Sequence, residues 1–239
     1  MCIAAFIWQA HPLYPLLLLQ NRDEYHNRPT ESVAWWDGGE ILGGRDAVAG
    51  GTWLACSRTG RVALLTNVLE LHPFPEAKSR GELPVLFLES TKSPKEFAEG
   101  LVKDAHQYNG FNLVLADISS KSMVYLSNRP KGEPVVIQEV SPGLHVLSNA
   151  NLDSPWHKVQ RLELNFKDLL DKYGESEIPV KEVLEKTNEG QDTPLGCYGT
   201  RSTAALTIRA DGEVSFYEIY LEKDVWKESI VNYRIQKLN

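Results

Sequence analysis

Apolar residues in this chain fall into short runs of strand length. Ile3 to Trp8 is apolar, a His11-Pro12 break follows, and Leu16 to Leu19 resumes the run before the chain turns polar at Gln20. Two such runs joined by a short proline-containing turn predict a β-hairpin. Residues 26–40, with Pro29 and the pair Gly38-Gly39, read as a loop. Thr52 to Cys56 and Val62 to Thr66 predict two further strands, separated by Thr59-Gly60. The pairs Gly43-Gly44 and Gly50-Gly51 fit neither a Rossmann nor a P-loop pattern and read as turn residues.

The pattern then changes period. Ser79-Arg80-Gly81-Glu82 and Ser93-Pro94-Lys95-Glu96 both have the spacing of a capping box, the second with proline at the first helical position, so two helices are predicted. Asn109-Gly110 marks a stop. Phe111 to Ala116 and Met123 to Leu126 read as paired strands, with Leu144 to Leu147 a third. A helix starts at Ser154-Pro155 and places Leu162, Phe166, Leu169 and Leu170 on one face. Val180 to Lys186 is a short helix, and Ala204 to Ile208, Asp211-Gly212 and Val214 to Tyr220 make a hairpin. Strands and helices in blocks predict an α+β layered fold rather than alternating βαβ units. No composition shift marks a linker, so residues 1–239 read as one domain.

Composition narrows the function classes. A 42% hydrophobic share suffices for a core, and a net charge of -7 without a basic cluster argues against nucleic acid as a partner. No apolar run approaches the ~20 residues that span a bilayer. No Lys or Arg precedes the first apolar stretch, and Pro12 and Pro15 interrupt it, so a signal peptide is not expected and a cytoplasmic location is. Three cysteines imply no disulfide framework, and six scattered histidines lack metal-ligand spacing. Neither a metal nor another cofactor is expected.

The candidate chemistry starts at Cys2. Its small side chain would allow Met1 to be trimmed, leaving a thiol nucleophile and an α-amine of unperturbed pKa ~7.7–8.0 on one residue. The bland alternative is a small buried hydrophobe. The first hairpin would put the polar end of its second strand, Gln20-Asn21-Arg22-Asp23-Glu24-Tyr25, beside Cys2. A carboxylate there could orient the amine, and an arginine could favour the thiolate. The same residues could equally form a solvated strand end. Asn67 and Asn149 each end a predicted strand and could donate to an oxyanion, or serve as turn residues. Arg201, among small residues at a strand start, could reach a site or point to water.

Met1-Cys2 followed by Asn21-Arg22-Asp23-Glu24 resembles the NRDE family, which includes the transport and Golgi organisation 2 proteins. Gly50-Gly51-Thr52-Trp53-Leu54, Tyr108-Asn109-Gly110-Phe111-Asn112-Leu113, Leu147-Ser148-Asn149-Ala150, Pro155-Trp156 and Tyr198-Gly199-Thr200-Arg201 carry the likeness along most of the chain. More distantly the chain is similar to the conjugated bile acid hydrolase and penicillin V acylase group. That resemblance implies a four-layer αββα sandwich of the N-terminal-nucleophile hydrolase type. It also implies Cys2 as nucleophile, Asp23 as the carboxylate near its amine, Asn67 and Asn149 at the oxyanion and Arg201 completing the site, with Asn21, Arg22 and Glu24 in support. One departure stands out: Arg22 abuts Asp23, and neighbours on a strand face opposite ways. Two functions follow as expectations. One is an amidohydrolase acting on a linear carbon–nitrogen bond of a small molecule. The other is a binding or trafficking protein for haem, lipid or an acyl thioester using the same cleft.

Overall fold

The structure, a computed structural model, describes residues 2–68, 70, 73–184, 190–193 and 196–236. By contacts the chain divides into two units, each of which takes pieces from distant parts of the sequence.

The first unit holds residues 1–28, 142–148 and 152–234. Its strands are β1 (Ile3–Trp8), β2 (Leu16–Tyr25), β10 (Gly143–Leu147), β11 (Gly190–Thr193), β12 (Gly196–Ile208), β13 (Glu213–Glu222) and β14 (Val225–Arg234). They form one antiparallel sheet in the order β10-β1-β2-β12-β13-β14, with β11 also on β12. The predicted first hairpin is present, with Ile3 opposite Asn21 and Trp8 opposite Leu16. One face of the sheet (Ala5, Ile7, Leu17, Val146) is covered by helix α3 (His157–Tyr173) through Val159 and Phe166, with Leu162, Leu169 and Leu170 packed beside them. This is the apolar face read from the helical spacing. The short helix α4 spans Val180–Leu184, and the predicted end at Lys186 lies outside the described residues.

The second unit holds residues 29–141, 149–151 and 235–239. Strands β3 (Thr30–Trp35), β4 (Ile41–Asp46), β5 (Leu54–Ser57), β6 (Arg61–Asn67), β7 (Phe111–Asp117), β8 (Ser122–Ser127) and β9 (Val136–Glu139) form a sheet in sequence order. Helices α1 (Glu82–Glu89) and α2 (Pro94–Leu101) pack on it through Leu83, Phe87, Ala98 and Leu101.

Several expectations change. The predicted loop 26–40 contains β3, because an edge strand with exposed Glu31 and Ala34 carries little apolar signal. Gly43-Gly44 is strand, not turn: a Cβ on Gly43 would meet the Ala55 Cβ at 2.7 Å, and one on Gly44 the Trp53 ring at 2.5 Å. The glycines are there so that neighbours can close on the backbone. Gly50, at φ +73°, is the turn residue expected. The Ser93 capping box is present, but Ser79 caps nothing: α1 starts at Glu82 behind Gly81, and the Glu82 carboxylate accepts from Tyr108 Oη at 2.5 Å instead. Leu144 to Leu147 is a strand but joins β1, not β8.

Candidate active site

The site is built by the β1–β2 register. Side chains alternate across a sheet, so Asn21 and Asp23 extend the face that carries Ile3 and Leu19 under α3, while Arg22 and Glu24 take the other. Arg22 and Glu24 accordingly pair with each other at 3.7 Å, and Arg28 reaches Glu24 at 3.9 Å. The expected parting of Arg22 from Asp23 is what the strand produces.

Cys2 stands just before β1. Its carbonyl accepts from Ser148 Oγ at 3.0 Å, and its Sγ lies 3.6 Å from the Asp23 carbonyl oxygen. The Asp23 carboxylate is held from two sides. Asn21 Nδ2 donates to its Oδ1 at 2.8 Å and Thr200 Oγ1 donates at 3.1 Å. Asn21 is itself fixed, because its Oδ1 accepts from Thr203 Oγ1 at 3.1 Å.

A β-bulge makes this arrangement possible. Thr200 pairs with Asp23, Ser202 with Arg22 and Thr203 with Asn21, so Arg201 is the extra residue on β12. On a regular strand Thr200 and Thr203 would face opposite ways. With one residue bulged out, both face Asn21 and Asp23. Arg201 is 8% exposed and its guanidinium donates to the backbone carbonyls of Tyr25, His26 and Leu221. It braces the strand ends at the bulge.

The electrostatics favour a protonated thiol. Burial pushes the Cys2 thiol up, against the pull of a hydrogen bond to Asp23 and the charge of Arg22. Lys158, in the first turn of α3, is lowered by burial, while the nearby Cys2 and Asp23 act to raise it. The Tyr198 hydroxyl is pushed far up, chiefly by burial and then by Cys2 and Asp23; it donates to the Asp23 carbonyl at 3.4 Å. Lys158, Tyr198 and Thr200 went unread as site residues in the sequence. The Pro155-Trp156 and Tyr198-Gly199-Thr200 segments, which carry the family likeness, were the signal that pointed to them.

Cys2, Asn21, Arg22, Asp23, Glu24 and Arg201 thus belong to the first unit. Asn67 and Asn149 belong to the second, where Asn149 Nδ2 donates to the Asn67 backbone carbonyl at 2.6 Å and the Asn67 side chain is exposed. Among the described residues, no three His, Cys, Asp or Glu side chains converge as metal ligands, and no helix is long and apolar enough to cross a membrane.

Comparison with known proteins gives the same likeness in sequence and in fold. The sequence pattern of the family described as "Transport and Golgi organisation 2" matches residues 1–223. The mouse "Transport and Golgi organization 2 homolog" is 33% identical, across 99% of this chain and all of that protein. The human homolog is 32% identical over the same shares, and the Drosophila melanogaster protein 29% over 74% of this chain and 68% of its own. Among solved structures, a mutant of the conjugated bile acid hydrolase from Clostridium perfringens aligns at TM-score 0.58 and 11% identity, over 99% of both chains. A Caenorhabditis elegans N-acylethanolamine-hydrolyzing acid amidase ortholog aligns at 0.54 and 12%, over 86% of this chain and 92% of its own. The fold is the α+β fold of the N-terminal-nucleophile hydrolases.

Proposed function

The chain belongs to the Transport and Golgi organisation 2 family, and from that premise we propose that it is an N-terminal-cysteine amidohydrolase cleaving a linear amide of a small molecule. The observation that carries the reading is the Cys2 sulfur beside Asp23, with the aspartate carboxylate fixed by Asn21 and Thr200. A fixed carboxylate at that point is suited to hold an α-ammonium on Cys2 once Met1 is gone. Sγ attacks the carbonyl carbon, and its proton passes to the α-amine. The amine then protonates the leaving nitrogen, the C–N bond breaks, and a thioester remains. Water, deprotonated by the same amine, releases the acid and restores the thiol. A thiol raised by burial needs such an internal base to react at neutral pH.

Intact-mass analysis of protein from its native host, followed by a panel of N-acyl amines with wild type and Cys2→Ala, tests this. Loss of Met1, an acyl adduct on the N-terminal residue and turnover lost in the variant are expected. Wild type no faster than Cys2→Ala across the panel overturns it.

The protonated thiol favours a second reading: a binding or trafficking protein that holds haem, lipid or an acyl thioester without turnover. A haem titration followed by absorbance checks the haem version, and an unchanged spectrum at micromolar haem removes it.

A further inference from the structure

Within the first unit, the described residues leave an open space beside the packed face of α3. A cavity of about 710 Å³ lies there, walled by Leu162, Phe166 and Leu169 of α3, by Ile3 and Leu19 of the hairpin and by Leu184 of α4, and it opens to solvent along Asn165, Asp168 and Lys172. That volume falls in the range of small-molecule sites, roughly 300–1,000 Å³. The apolar walls offer a ligand no hydrogen bond. Among the described residues, polar side chains line the cavity along the helix at Asn165, Asp168, Lys172 and Tyr173, and on the strands at Gln20, Asn21 and Thr203.

We propose that this cavity is a binding site for a single unbranched alkyl chain, with the polar head of its carrier at the Asp168–Lys172 side. Unbranched CH2 groups match apolar walls of this kind, and taking them out of water is favourable. The site also reports to the Cys2 cluster. Asn21 and Thr203 line the cavity, and the same two side chains are bonded to one another, with Asn21 holding the Asp23 carboxylate. A chain seated against Asn21 shifts the carboxamide that orients Asp23. The catalytic consequence of that shift rests on the amidohydrolase reading; the binding does not.

Binding is therefore measured on the Cys2→Ala protein, where no turnover intervenes, by titrating decanoate and decyltrimethylammonium below their micelle concentrations. Calorimetry gives the affinity and a side-chain amide spectrum follows Asn21. Saturable binding of one or both probes is expected, together with movement of the Asn21 signal; the head group that binds better identifies whether Lys172 or Asp168 receives it. Leu162→Trp and Leu169→Trp, which fill the cavity, each weaken binding about tenfold or more, equal to about 1.4 kcal/mol. Leu164→Trp, on the exposed side of α3, leaves it unchanged. No saturable binding of either probe by the parent protein up to about 1 mM overturns the proposal whether or not the filled variants fold. Equal loss in Leu164→Trp also overturns it. Binding with a motionless Asn21 signal overturns the link to Asp23.

Discussion

Asn112 and Gln20 are both carboxamides on central strands, 0% and 2% exposed, in different units. Asn112, on β7, is fully engaged. Its oxygen accepts from Tyr125 Oη at 2.8 Å, and its nitrogen donates to Ala150 O at 2.8 Å and to Thr66 Oγ1 at 3.3 Å. Gln20, on β2, lies between Ala4 and Ala204, and among the described residues neither its Oε1 nor its Nε2 has a hydrogen-bond partner. The contrast extends beyond this pair. In the second unit Asn128 accepts from Phe111 N and donates to the carbonyls of Ala105 and Tyr108; Arg61 Nη2 reaches the carbonyls of Phe87 and Lys92, while among the described residues its Nε is unmatched. Among the described residues of the first unit, Gln9, His26 and the Arg201 Nε each leave a buried polar atom unmatched. Buried polar groups without partners cost about 1–3 kcal/mol each. Among the described residues they concentrate in the unit that holds Cys2.

Substitutions break or sharpen this contrast. Asn112→Leu removes a carboxamide with three partners and strands Ala150 O and Tyr125 Oη; a loss of about 3 kcal/mol in urea unfolding is expected. Glu70 gives a smaller effect with a pH signature. Burial opposes its charge, but the Gly110 N–H and Arg129 outweigh burial and hold its carboxyl below the ordinary value. A depressed carboxyl contributes stability that is complete above the ordinary glutamate value of ~4.3 and is lost as pH falls through the lower folded value. Glu70→Gln is therefore expected to cost about 1–2 kcal/mol at neutral pH, and the gap to wild type should close in acid melts.

In the first unit, Lys158→Met takes a cation from beside Cys2. Iodoacetamide labelling of Cys2 should slow by about two- to fivefold at fixed pH, with its pH profile displaced upward, and an unmoved profile would place Lys158 outside the cluster. Gln20→Met, which keeps the volume and deletes the unmatched amide, should leave the melting temperature unchanged or slightly raised. A large loss there would mean that Gln20 is satisfied by the fold after all and that the two units do not differ.

Much of the architecture was legible one residue at a time. The first hairpin follows from two apolar runs and a proline break, and its register puts Asn21 beside Ile3 as expected. The Ser93 cap and the apolar face of α3 are local signals, and both are present. Ser79 misleads because a capping box is judged by spacing, whereas Glu82 is drawn to Tyr108, distant in sequence. Strand β14 escaped because its alternation of half-buried and exposed residues, Lys227, Glu228 and Asn232 among them, lacks an apolar run. Gly43-Gly44 misled because a glycine pair signals a turn unless something large, here Trp53, must approach the backbone.

By itself the sequence determined the first hairpin, the helices α2 and α3, the family, and the nearness of Cys2 to the Asn21–Glu24 segment. Those depend on period, turn chemistry and a hairpin, all set within a few residues. Tertiary structure decided the rest. The extra residue at Arg201 shows only once β12 lies against β2, because a bulge is defined by the partner strand. That single slip turns Thr200 and Thr203 to the same face and gives Asp23 its second donor, across 177 residues of chain.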